Sequence, residues 1–251
     1  MLIIGCETPP SDPNEISKLS VLAFFTSDTT RQNIYLYNTA LLEDTNSIYY
    51  EDYFYEKADV LVLNNEGEII PFYYKKAPAE YLSSYINTNE INFIPGEKYM
   101  LKIESEYGTI EGETVFPGDF QIKSPAEGIF YVSEDSHKNQ SYIVDLKIQW
   151  TKSKNAYAYI INYKRPYLGP IWTYYVNHSF ISYDTVYNLS VYELSPGEDT
   201  TKCSKIIITA IDKNYYLHHF KEYNISGIKG GYGYFGSGTV RSINIKFTKR
   251  N

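Results

Sequence analysis

Apolar side chains recur at every second position through most of this chain, and that period constrains the fold more than any other feature. Successive side chains of an extended strand point to opposite faces, so a period of two means one buried face and one wet face. KLSVLAFFT (18–26) and NIYLYNT (33–39) read as strands. ADVLVLN (58–64) and IIPFYYK (69–75) flank Asn65-Glu66-Gly67-Glu68, a hairpin connection. KYMLKIES (98–105) sets Tyr99, Leu101 and Ile103 on one face and turns through Tyr107-Gly108 into TIEGETVFP (109–117), a second hairpin. Further on, IVDLKIQW (143–150) alternates strictly and AYAYIINYKR (156–165) follows it. KIIITAIDKNYY (205–216) reads as a buried strand running into a polar turn, and SINIKF (242–247) as the closing strand. Only PAEYLSSYI (78–86) reads as a short helix. The expected class is all-β: two β-sandwich domains of immunoglobulin or fibronectin type III kind after a short N-terminal tether.

The chain's 251 residues are enough for two cores of ordinary size. Pro117, Gly118 and Pro125 cluster in VFPGDFQIKSP (115–125) and mark a boundary. The expected division is 1–17 tether, 18–118 first sandwich and 119–251 second. In the first, Ile94-Pro95-Gly96-Glu97-Lys98-Tyr99 reads as the approach to a tyrosine corner, where a Tyr hydroxyl bonds back to nearby backbone. In the second, the strand ending at Trp150 and the Tyr-rich strand after it resemble strands B and C of a fibronectin type III module. Trp150 is then a core aromatic.

GYGYFGSG (231–238) carries Gly231, Gly233 and Gly236 at the G-x-G-x-x-G spacing of a dinucleotide-binding turn. That turn needs a strand before it, a helix after it and an acidic residue about 20 positions on. Here TVRSINIKF follows, with strand period, and Tyr232, Tyr234 and Phe235 would crowd a phosphate. The stretch reads instead as a glycine-rich loop or bulged strand packed on aromatics, whose Tyr232, Tyr234 and Phe235 are candidates to line a binding site. A second candidate is RPYLGPIWTYY (165–175). Pro166 and Pro170 argue against a central strand, so Tyr167, Trp172, Tyr174 and Tyr175 read as an aromatic loop. It either stacks on a sugar ring or partner surface or plugs the end of the sandwich. The 28 tyrosines have a plainer explanation too, since Tyr, Asn, Ile and Lys share A/T-rich codons and Tyr suits strands.

Catalytic and metal motifs do not emerge. His137, His178, His218 and His219 form no H-E-x-x-H, and neither cysteine has a C-x-x-C partner. His218 and His219 are adjacent, and on a strand would face opposite ways. Glu134, Asp135 and His137 in SEDSHKN (133–139) read as a solvated hairpin tip. The carboxylates of YYEDYFYEKAD (49–59) alternate with aromatics, and a glycosidase pair among them would be defined only by spatial separation. A formal net charge of −7 argues against nucleic-acid binding. No cofactor is expected.

Ile3-Ile4-Gly5-Cys6 resembles the lipobox of bacterial lipoproteins, in which the Cys receives lipid and becomes the mature N-terminus. Pro9, Pro10 and Pro13, among Ser, Asp, Asn and Glu, suit a tether. Secretory export needs a basic region and an apolar stretch of about 7–15 residues before the Cys, so this reading requires residues upstream of Met1. A lipid on Cys6 leaves Cys203 as a buried thiol; otherwise the two cysteines make one disulfide.

NISGIKGGYGYFGSGTVRS (224–242) resembles the C-terminal signature of a family of Bacteroidetes cell-envelope lipoproteins, catalogued as domain of unknown function 4249. The early Cys, PGEKYMLKIESEYGTIEGETVFP and TAIDKNYYLHHF agree with that resemblance, and the first half is also similar to carboxypeptidase-regulatory-like β-sandwiches. The resemblance implies an envelope-anchored, all-β, non-enzymatic protein. It further implies a seat at the outer membrane through a lipid on Cys6 and association with a TonB-dependent transporter. The alternatives are a surface protein binding a glycan or peptide through its aromatic loop, and a hydrolase with unrecognised carboxylates.

Overall fold

The computed structural model describes residues 19–38, 54–77, 83–87, 89–126, 128–134, 142–168, 173–192, 203–221 and 225–249. Cys6, the tether and Trp172 lie outside them. Strands β1 (Leu19–Thr26), β2 (Asn33–Asn38), β3 (Asp59–Leu63), β4 (Ile69–Lys75), β5 (Ser84–Asn87), β6 (Lys98–Ser105) and β7 (Gly108–Val115) build the first half. They pair antiparallel in the order β1-β2-β5-β4-β3-β6-β7. The alternation read from sequence is the burial pattern: Leu19, Val21, Ala23 and Phe25 of β1 are buried, and the residues between them are half-buried. Leu19, Val21 and Phe25 each contribute roughly 1.5–3 kcal/mol on leaving water.

The sheet then returns to its first strand. β15 (Ile225–Ser226) and β16 (Ile228–Lys229) lead into β17 (Tyr232–Lys249). β16 pairs with β7 at Gly112 and Glu111, and the N–H of Glu113 donates to the carbonyl of Gly227. β15 pairs parallel with Gly233 and Tyr234, and residues 232–238 of β17 pair parallel with β1. The result is a flattened sandwich sealed along one side, which removes open edges there.

The second half is a fibronectin type III-like sandwich. β11 (Ala158–Leu168), β12 (Thr173–Ser182), β14 (Cys203–Ile211) and the later part of β17 form one sheet in the order β12-β11-β14-β17, and β17 also pairs with β9 (Gly128–Glu134). The facing sheet has β10 (Tyr142–Trp150) between β13 (Val186–Tyr192) and β8 (Ile122–Ser124). Trp150 is buried between them and meets Tyr159 edge-on at 5.2 Å, in the core role expected of it.

Phe116 packs in the first core and Phe120 in the second, yet Ile228 and Phe235 also belong to the first. The chain crosses back before it ends, and β17 is shared. Three local expectations are corrected. Residues 84–87 are a strand, not a helix. The polar turn after β14 is a helix, α1 (Lys213–Lys221), so His218 and His219 are helix neighbours with ring centroids 5.0 Å apart. Residues 165–168 and 173–175 are strand, not loop, whereas the glycine-rich stretch takes the strand form of its two expected readings. Pro166 is tolerated because the β11–β14 ladder stops at Lys164↔Lys205, leaving Pro166 with a neighbour on the β12 side alone.

The tyrosine corner is present, and it has a counterpart. The hydroxyl of Tyr99 accepts the N–H of Ile94 at 3.0 Å, and the hydroxyl of Tyr159 accepts the N–H of Ser153 at 2.8 Å. Ser153 is buried, whereas Ile94 is half-exposed and water can replace the lost partner there. Tyr99→Phe is therefore expected to cost about 1 kcal/mol and Tyr159→Phe about 2 kcal/mol in urea unfolding, with the difference set by the stranded buried donor.

Candidate functional site

The most buried carboxylate among the described residues lies where the two halves meet. β14 ends at Ile211, and Asp212 starts α1 as its N-cap: the Tyr215 N–H donates to Asp212 Oδ1 at 2.9 Å. The other oxygen, Oδ2, accepts the hydroxyl proton of Thr114 from β7 at 2.7 Å. Thr114 Oγ1 is 2.6 Å from Ser237 Oγ on β17. With its proton given to Asp212, Thr114 accepts from Ser237. The backbone joins in, for the Asp212 N–H donates to the Ser237 carbonyl at 3.0 Å. Asn214 adds two bonds from Nδ2, to the Glu113 carbonyl at 2.8 Å and the Phe235 carbonyl at 2.9 Å. One helical turn thus ties β7 of the first sandwich to β14 and β17. Asp212 is 5% exposed. Burial pushes its carboxyl up to about 6, and the donors around it oppose the shift without cancelling it.

This junction opens on a cavity of about 450 Å³ lined by Glu113, Thr114, Asn155, Asp212, Lys213 and Asn214, among others. On the solvent side Glu113 is 2.5 Å from Lys98. Beyond the junction is an aromatic cluster. Tyr234 packs edge-on against Tyr215 at 5.8 Å and lies 4.5 Å from His218 and 5.1 Å from His219. Burial drives the Tyr215 and Tyr234 hydroxyls upward, and burial followed by the charge of His218 drives His219 downward. Among the described residues no three His, Cys, Asp or Glu are grouped to hold a metal. A cavity of about 520 Å³ is lined by Glu56, Asp59, Glu104 and Glu106 with Lys57. No helix among the described residues is long and apolar enough to cross a membrane.

The aromatic candidates separate. Phe235 is fully buried and Tyr234 is 7% exposed, so neither offers a face to a ligand from solvent. Phe235 sits edge-on against Phe25 at 5.2 Å in the first core. Tyr232 is half-buried. Tyr167 pairs with Tyr174, and Tyr175 with Pro166, on an arm of β11 and β12 reaching past the ladder to β14. Glu134 ends β9 opposite Tyr142; Asp135 and His137 lie outside the described residues. Sequence reasoning passed over Asp212, Thr114 and Ser237. The available signal was Asp immediately before KNYYLHHFK, a helix N-cap residue, hidden by a helix rich in Tyr and without an acidic first turn.

No family model matches the chain, and no curated protein matches it. Solved structures do. The FN1–FN3 domains of chicken CNTN1 align at 11% identity over 93% of this chain and 66% of theirs, with a TM-score of 0.22. The titin fragment A168169 aligns at 9% identity over 92% of this chain and 96% of its own, also with a TM-score of 0.22. This chain therefore spans about two thirds of the length of the CNTN1 fragment. Superposition this loose carries no argument about function.

Proposed function

We propose that this chain is a non-catalytic cell-envelope lipoprotein. A lipid on Cys6 holds it to the outer membrane, and its two sandwiches serve as a binding or accessory module for a TonB-dependent transporter. The observation that supports a non-catalytic role is the use made of Asp212. It is the group whose raised proton affinity would suit an acid or base, but both its oxygens already accept hydrogen bonds, from the Tyr215 N–H and the Thr114 hydroxyl. A two-carboxylate glycosidase needs its carboxyls left open to substrate. The membrane attachment draws on Ile3-Ile4-Gly5-Cys6 and the Pro-rich segment after it, which leads to β1.

The test is the mass of the mature N-terminus. With its upstream coding sequence restored, the protein is expressed in an envelope-bearing host and compared with Cys6→Ala. Acylation of Cys6, absent from the variant, together with loss of the variant from the membrane fraction, is the expected result. An unmodified chain in the soluble fraction would remove the membrane reading.

A second reading, glycan or peptide binding, draws on the β11–β12 arm. Its backbone carries Tyr167, Tyr174 and Tyr175 past Lys164↔Lys205, the last β11–β14 pair.

A further inference from the structure

Chain enters the fold at Leu19 and leaves it at Lys249 through strands that lie side by side. β1 and β17 run parallel, paired from Ser20↔Tyr232 to Thr26↔Gly238. Tension between the N-terminal segment and the end of β17 therefore pulls the two strands in opposite directions along their common axis. Such a load is shear. It falls on all the ladder's hydrogen bonds together, whereas peeling loads them one at a time.

Three features suit this ladder to that load. Val21, Ala23 and Phe25 are fully buried, and residues 233–240 of β17 are buried too, so water cannot exchange for the strained bonds. The register is locked: Gly233 has φ of +94° and a side chain there would collide with the Val21 carbonyl, so sliding Tyr232 or Tyr234 into its place is blocked. Finally, β17 continues unbroken through the second sandwich, so tension follows one covalent strand and does not pass through that core. The Ser27 N–H on Gly238 at 3.1 Å and the Ser27 hydroxyl accepting from the Val240 N–H at 3.0 Å extend the grip past the ladder.

We infer that the β1–β17 ladder is a shear joint that resists tension between what holds the N-terminal segment and a pull on the end of β17. The identity of the holder, the outer membrane, rests on the lipoprotein reading; the joint does not.

Single-molecule force spectroscopy on the full chain tests it. Handles at the two chain ends load the ladder in shear. Handles at Asp28 and the C-terminal end peel β1 from its Thr26 side. At equal pulling speed the end-to-end unfolding force is expected to be several-fold higher. A disulfide introduced by Ser20→Cys with Tyr232→Cys bypasses the ladder and should abolish the end-to-end unfolding peak, while in the Asp28 geometry the initial peeling force stays unchanged and only the length released afterwards shrinks. Equal forces in the two geometries, or a peak that survives the cross-link, would overturn the joint. An unacylated Cys6 alongside a strong joint would overturn the membrane as holder and leave the joint standing.

Discussion

Gly233→Ala is expected to leave the chain unable to hold its native fold at room temperature, whereas Gly67→Ala, at nearly the same backbone angle, should cost about 1 kcal/mol. The pair isolates two terms. Both residues lie in the left-handed region, Gly67 at φ of +80° and Gly233 at +94°, so alanine pays the same conformational penalty at each. At Gly67, in the Asn64–Glu68 turn, nothing lies within 4 Å of an added Cβ. At Gly233 the added carbon would overlap the carbonyl oxygen of Val21, and backbone on both sides is fixed by the parallel ladder. Relief requires β1 and β17 to separate, which opens the first core at Val21, Phe25 and Phe235. A loss beyond about 4 kcal/mol follows, a large share of the 5–15 kcal/mol typical of a domain. Circular dichroism and urea titration of both variants give the answer. A Gly233→Ala protein within about 1 kcal/mol of Gly67→Ala would show that the strands yield there.

The period of two made the strands readable because a half-buried strand writes its environment directly into alternate residues. β4 and β6 span the segments expected from the sequence, and β1 and β3 differ by a residue at their ends. Tyr99 and Trp150 were legible for a similar reason, each being a large residue in a local pattern that a sandwich uses repeatedly. Illegible was whatever depended on a distant partner. Gly-Tyr-Gly-Tyr-Phe-Gly leaves loop and bulged strand both open until a second strand is packed close enough that only glycine fits. Then the same residues are the start of the longest strand in the structure. Tyr159 forms a corner that no Pro-Gly announces. Thr114, Asp212 and Ser237 are 98 and 123 positions apart along the Thr114 hydrogen bonds, and no spacing rule connects a mid-strand Thr to an N-cap Asp.

Asp212 is expected to make the junction weaker as the solution becomes less acidic, and Asp212→Asn to remove that dependence. The sign follows from the two proton affinities. In the unfolded chain an Asp titrates near about 3.9. In the fold, burial raises Asp212 to about 6. Between these values the folded protein holds a proton that the unfolded chain has lost, so the fold is favoured. That contribution is complete below about 4 and is lost as pH rises through about 6. Its size is roughly 3 kcal/mol, from two units at 1.36 kcal/mol each. The groups bonded to Asp212 do not titrate in this window: Thr114 and Ser237 are hydroxyls, and Tyr215 contributes its backbone N–H. Tyr234 is pushed away from neutrality. His219, on the far side of Tyr215 and driven downward by burial, adds a dependence of opposite sign that wild type and Asp212→Asn share, so the difference between the two slopes belongs to Asp212. The network also tolerates either state, since a protonated Asp212 donates to Thr114, which then donates to Ser237 in the reverse direction. Asp212→Asn retains Oδ1 as the helix cap but carries no charge, and its unfolding free energy should run flatter than wild type from pH 4.5 to 7.5. Asp212→Ala keeps neither and should lose about 2–4 kcal/mol at pH 5, from the cap and the stranded hydroxyls together. Urea titrations of the three proteins at matched pH separate these contributions. If wild type and Asp212→Asn share one slope, the proton is taken up elsewhere and the junction is held by its neutral hydrogen bonds alone.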